Sequence, residues 1–180
     1  MKKQIIICSS IAAAAVMATG STLAYFTAQD TAQNVISTGS IDIAVKEYQN
    51  IGNETVPYTD PEFPIMPGDI VSKIVKVENT GSGSAYIRAK INVSFDSDTG
   101  EEALPTDCIK LNLGSDWTLG NDGYYYYNKI VDSGEMTEFL FDSVEMDKDA
   151  GNEYQNQTLK ISIDAEGIQS KNNDRENPFG

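Results

Sequence analysis

The chain of 180 residues contains no histidine, and that absence excludes more chemistry than any residue present suggests. Without imidazole, neither a Ser-His-Asp nor a Cys-His nucleophile can be assembled, and the HExxH zinc motif cannot be written. Cysteine is nearly absent: only Cys8 and Cys108 occur. Cys8 lies in a leader expected to be removed, which leaves one thiol and no internal disulfide. Cys108 follows Asp107, whose carboxylate disfavours a thiolate. It reads as a small half-buried hydrophobe at a strand start, not as a nucleophile. Cations are also scarce, 13 Lys and Arg against 27 Asp and Glu, for a formal net charge of −14. Such a chain repels nucleic acid and anionic membrane surfaces, stays soluble and attracts divalent cations. Beyond residue 24 there is no second long apolar run, and the ending "GIQSKNNDRENPFG" is polar.

The start reads as a secretory signal. Lys2 and Lys3 give a positive opening, Ile5 to Met17 is apolar but too short to span a bilayer stably, and Gly20 to Ala24 is a small-residue exit. Cleavage is expected between Ala24 and Tyr25, with a signal peptidase as the export partner. The alternative is an uncleaved anchor, which would be the chain's only contact with a membrane. The expected organisation is a signal at 1–24, an N-terminal segment at 25–37, a β-sandwich domain at 38–167 and a polar tail at 168–180.

Period-two alternation dominates the rest. Ile41, Ile43 and Val45 alternate with polar neighbours, as do Ile87, Ala89, Ile91, Val93 and Phe95, and Leu159, Ile161, Ile163 and Ala165. Each pattern predicts a strand with one face in a core and one in water. Ile109, Leu111 and Leu113 repeat it briefly, while 71–77 and 139–144 are apolar enough to be central strands. No helical stripe is present, and at most one short helical turn fits in 145–155. "MPGD" at 66–69 and "NDG" at 121–123 predict tight turns, "NTGSGS" at 79–84 has hairpin spacing, and 50–67, with four prolines, predicts an irregular excursion. The expected fold is all-β, a jelly-roll-like antiparallel sandwich of about seven to nine strands.

Two stretches carry candidate chemistry. "DSDTGEE" and "DKDAGNE" both fit D-x-D-x-G-x-E, which would place Asp96, Asp98 and Glu102, or Asp147, Asp149 and Glu153, around a Ca²⁺ ion. The bland alternative is two solvated loops, and no other cofactor is expected. Tyr124 to Tyr127 stand near Trp117. In a strand, Tyr124 and Tyr126 face one way and Tyr125 and Tyr127 the other, so one pair is expected in the core and the other half exposed, where it could bind a sugar or a protein.

"TGSTLAYFTAQDTAQNVISTGSIDIAV", "MPGDIVSKIVKVENTGSGSAYIRAKI" and "DGYYYYNKIVDSGEMTEFLFDSV", in that order, resemble the TasA/CalY (camelysin) family. The resemblance implies a jelly-roll sandwich, export through a SipW-type signal peptidase, and head-to-tail homopolymerisation into biofilm-matrix fibres. It also implies that residues from Tyr25 to about Ser37 act as a donor strand completing the next subunit's sheet, with Tyr25, Phe26, Val35 and Ile36 as apolar anchors. An open sheet edge displays unpaired N–H and C=O groups that such a segment can satisfy, and a contact that does not close on itself propagates a filament. Some relatives carry a metallopeptidase label, which the missing zinc ligands do not support here.

Three readings follow: a secreted structural subunit of extracellular or surface fibres, a monomeric secreted binding module for a glycan or surface protein, and a secreted hydrolase. The last ranks lowest because no acid, base and nucleophile set can be assembled.

Overall fold

A computed structural model describes residues 41–59, 65–96, 104–154, 157–171, 173 and 178–179. Among them are nine strands and one 3₁₀ turn. The strands are β1 (Ile43–Ile51), β2 (Glu54–Pro57), β3 (Ile70–Asn79), β4 (Ala85–Asp96), β5 (Ile109–Leu113), β6 (Trp117–Leu119), β7 (Tyr125–Tyr127), β8 (Phe141–Met146) and β9 (Thr158–Gln169). They form a five-stranded sheet in the order β2-β1-β3-β8-β5 and a four-stranded sheet in the order β6-β7-β4-β9. Every pairing is antiparallel. The fold is the all-β sandwich that the alternation predicts. The single turn of helix, Asn152–Tyr154, falls inside the only stretch where one was expected.

Alternation decides what is buried. Ile43, Val75, Val77, Phe141, Val144 and Met146 of the larger sheet meet Ala85, Ile87, Ala89, Phe95, Leu159, Ile163 and Ala165 of the smaller one in one core. β4 and β9 pair over twelve residues, from Ala85 opposite Gln169 to Asp96 opposite Thr158, and form the longest ladder in the molecule. β3 and β8 are interior strands, as their apolar sequences required. "MPGD" makes the expected turn: the Asp69 amide donates to Met66 O at 2.9 Å, Pro67 supplies the fixed φ, and Gly68 takes φ 90°. "NDG" likewise joins β6 to β7, with Gly123 at φ 82°.

Two sequence expectations are corrected. The 50–67 excursion is not wholly irregular: Gly52 at φ 63° turns the chain so that β2 pairs back onto β1, Ile51 opposite Glu54. More consequentially, "NTGSGS" does not close a hairpin. β3 and β4 lie in different sheets, so the segment is a corner that carries the chain across the core. The reason is Asn79. It ends β3 on the core-facing side and is fully buried. Its Nδ2 donates to Gly83 O at 2.7 Å and to Val131 O at 2.9 Å, while its Oδ1 accepts from the Gly81 amide at 3.1 Å. Val131 in turn exchanges both backbone hydrogen bonds with Ala85, the first residue of β4. A hairpin would leave this side chain's donors without partners in the core.

Gly167 marks the other close approach. A Cβ there would stand 3.0 Å from Ile43 Cγ2 and 3.1 Å from Ile41 Cγ2, so the beginning of the sandwich rests directly on the β9 backbone. Asn79→Ala should cost about 1–3 kcal/mol in urea denaturation, because it removes three hydrogen bonds and leaves Gly83 O without its side-chain partner, while Val131 O keeps Ala85 and the Gly81 amide keeps Asp42. Thr80→Ala, at an exposed neighbour, should change stability by less than about 0.5 kcal/mol.

Candidate functional site

The best-formed polar site lies on the outer face of the four-stranded sheet. The alternation that buries Ile87 and Ala89 turns Arg88 outward. Register places Arg88 opposite Tyr126 on β7 and opposite Glu166 on β9, so aromatic, cation and anion form one row across three strands. The turn before β7 brings Asp122 to the same point.

The guanidinium is fully engaged. Nε and Nη2 both donate to Glu166 Oε2, at 2.9 and 2.7 Å. Nη1 donates to Tyr126 Oη at 3.1 Å and to Asp122 Oδ2 at 3.3 Å. The Tyr126 hydroxyl donates onward to Asp122 Oδ2 at 2.7 Å, and the Tyr124 hydroxyl to Glu166 Oε1 at 3.0 Å. Ring centroids of Tyr124 and Phe179 stand 4.2 and 4.5 Å from the guanidinium carbon. Burial opposes the charge on Arg88, but its bonds to Glu166 and Tyr126 prevail and hold its pKa above the usual value. The Tyr126 hydroxyl bond lowers the pKa of Asp122, and the bond to Glu166 raises that of Tyr124.

The tyrosine run divides as its spacing requires. Tyr124 and Tyr126 join the arginine row. Tyr127 is buried against Trp117, ring centroids 5.0 Å apart, and Tyr125 packs partly against the core. Both polar handles of the Trp117–Tyr127 pair are satisfied by Glu138: indole Nε1 donates to its carbonyl at 3.2 Å, and Tyr127 Oη accepts from its amide at 3.0 Å.

The predicted calcium sets are not assembled around a common point among the described residues. Asp147 Oδ1 accepts from the Asp149 amide at 3.0 Å in a local turn, and its Oδ2 takes Lys110 Nζ at 3.0 Å. Asp149 is paired with Lys148. The Glu153 carboxylate folds over Gly151. Asp96 ends β4, while Asp98 and Glu102 lie outside the described residues, as do Ala24, Tyr25, Phe26, Val35 and Ile36. No group of three or more His, Cys, Asp or Glu able to hold a metal occurs among the described residues. Cys108 lies half-buried just before β5 and packs against the core. Tyr154 stands beside it, its hydroxyl donating to Pro105 O at 3.1 Å and its pKa raised by burial and by its bond with Cys108.

Residues 1–118 match the family described as camelysin metallo-endopeptidase. The chain belongs to this family, the TasA/CalY group whose motifs it carries. No curated protein and no solved structure matches it. The family description implies a catalytic metal, but the donors do not fit one. The sequence has no imidazole, and the one thiol among the described residues packs against the core with no metal-capable group of His, Cys, Asp or Glu around it. Thus no catalytic step is derived through a metal in this camelysin-family chain. The matched region ends in β6, so Arg88 lies inside it while Tyr124, Tyr126, Glu166 and Phe179 lie beyond it. Sequence reading found the outward tyrosines but missed Arg88, Glu166 and Phe179. Their only signal was the outward register of two strands that are far apart in the chain. No helix among the described residues is long and apolar enough to cross a membrane.

Asp122 and Asp147 both titrate below the ordinary 3.8, Asp147 chiefly through the Asp149 amide and Lys110. Each adds stability above that value, and the contribution is lost as pH falls through the lower folded-state pKa. Tyr124, raised above 10.0, contributes below that value and loses its contribution as pH rises through its folded-state pKa. The urea midpoint should therefore decline on acidification below about pH 4, and Asp122→Asn should flatten part of that decline. An acid limb as steep in both Asp122→Asn and Asp147→Asn as in the unmodified protein would refute the assignment.

Proposed function

We propose that this chain is a secreted structural subunit of extracellular fibres, joined head to tail by residues 25–37 acting as a donor strand in the next subunit. The observation that carries the reading is the seat of the first strand on β9. Ile41 and Ile43 rest on Gly167, so the first described residues of the sandwich lie against a twelve-residue strand. Among the described residues that strand pairs on one side only, with β4. A segment of thirteen residues is long enough to lie along a strand of that length, since both rise about 3.3 Å per residue. Strand addition at an edge is driven by backbone hydrogen bonds and given register by alternate side chains, here Tyr25 and Val35 on one face and Phe26 and Ile36 on the other. The acidic surface keeps unassembled subunits apart in solution. Cleavage after Ala24 would release the donor from the membrane, which couples assembly to export.

Membership of a family described as peptidase does not carry this reading to catalysis, because the sequence has no histidine and no group of three or more His, Cys, Asp or Glu able to hold a metal occurs among the described residues. The binding-module reading loses ground for a related reason: the hydroxyls of Tyr124 and Tyr126 and every donor nitrogen of Arg88 are already engaged.

Light scattering and negative-stain electron microscopy of residues 25–180, beside a truncation beginning at Ser37, test the proposal. Filaments are expected from the first and monomers from the second. Monomers from both, with calcium and at mildly acidic pH included, would overturn it.

A further inference from the structure

Phe179 is far from where a polar tail would be expected. β9 ends at Gln169 on the outermost strand of its sheet, and the Asn173 amide donates back to Gln169 O. Phe179 nevertheless lies over Arg88 on β4 and meets the Tyr126 ring of β7 edge-on, centroids 5.7 Å apart and planes at 75°. Phe179 therefore lies on the outer face of the sheet whose edge β9 forms. After Ile168 the sequence offers only Pro178 and Phe179 as apolar side chains, and both reach this place.

The chemistry of the place selects such a guest. Since the edges of Arg88 are saturated by Glu166, Asp122 and Tyr126, what the arginine still presents is its flat face, and a flat cation face takes an aromatic ring. Beside this contact is an open surface pocket of about 370 Å³, lined among others by Arg88, Glu166, Gly167, Pro178 and Phe179. Neither Pro178 nor Phe179 belongs to the packed core, so they can leave without opening the sandwich.

We propose that the outer face of the four-stranded sheet is a docking site for a proline–aromatic peptide segment, filled in this molecule by its own Pro178 and Phe179 as a clasp. The occupant is intramolecular because one ring stack and one edge contact bind too weakly to capture a free peptide, whereas a short tether supplies an effective concentration on the order of millimolar. Gly167 links the clasp to the rest of the molecule, since it lines the pocket and also seats Ile41 and Ile43. The inference does not depend on fibre assembly.

Amide ¹⁵N relaxation of the full chain tests it. In the unmodified protein the Phe179 amide should be nearly as rigid as the strands, with an order parameter above about 0.7. Phe179→Ala should drop the amide of that position below about 0.6 and leave the core strands unchanged, because the site is peripheral. Phe179→Trp should keep it rigid. Arg88→Lys, which keeps the charge but loses the flat face, should free Phe179. A Phe179 amide already below about 0.6 in the unmodified protein, or one left rigid by Arg88→Lys, would overturn the proposal.

Discussion

The sandwich depends on one buried amide. Asn79 ties together three backbone segments: the corner at 81–83, the start of β4 through Val131, and the 131–135 loop that precedes β8. Because that amide is satisfied only in a corner, β4 crosses to the second sheet instead of folding back on β3. Every later strand inherits the consequence. The later strands divide between the sheets, β5 and β8 in the larger and β6, β7 and β9 in the smaller, and β7 and β9 pair with the two edges of β4. A buried polar group with all its bonds made specifies one arrangement, since each alternative loses those bonds in a place water does not reach.

A second polar group interrupts the core-facing row of β3 six residues before the strand's end. Lys73 is nearly fully buried, donates to Glu47 Oε2 at 2.7 Å, and lies 4.1 Å from the Tyr58 ring centroid. The ion pair joins β3 to β1 where the apolar row of β1 has given way to Glu47. Desolvation offsets much of the Coulomb attraction in such a pair, so its main effect is on which neighbours the strands accept. Together, Asn79 and Lys73 bracket Val75 and Val77 in the core-facing row of β3.

The outer face of the smaller sheet is organised differently. Its arginine row is satisfied internally, which fits a protein whose surfaces hold their own chain in place better than one that keeps charges ready for a ligand. The same face shows how an acidic protein uses its few cations: Arg88 answers Glu166 and Asp122, Lys110 answers Asp147, and Lys129 answers Asp116. Carboxylates that might have clustered around a metal are drawn off singly.

Much of this was legible in the sequence. Alternation at 87–95 and 159–165 named the buried faces of β4 and β9, apolar continuity at 71–77 marked an interior strand, and Pro67-Gly68 and Asp122-Gly123 located turns, because side-chain direction in a strand and φ at glycine and proline are local properties. The split of Tyr124 to Tyr127 into an outward and an inward pair followed from the same period of two. The missing histidine determined by itself that no imidazole chemistry is available. What the sequence could not decide was partnership. Hairpin spacing at 79–84 is the same whether the next strand returns or crosses, and the choice lay with Val131, more than forty residues away. Likewise Arg88, Glu166 and Phe179 meet only because antiparallel register lines β4 up with β9 and the chain then turns back. Tertiary structure decided these points because hydrogen bonds and ring stacking act over a few ångströms, and only folding brings distant parts of the chain that close.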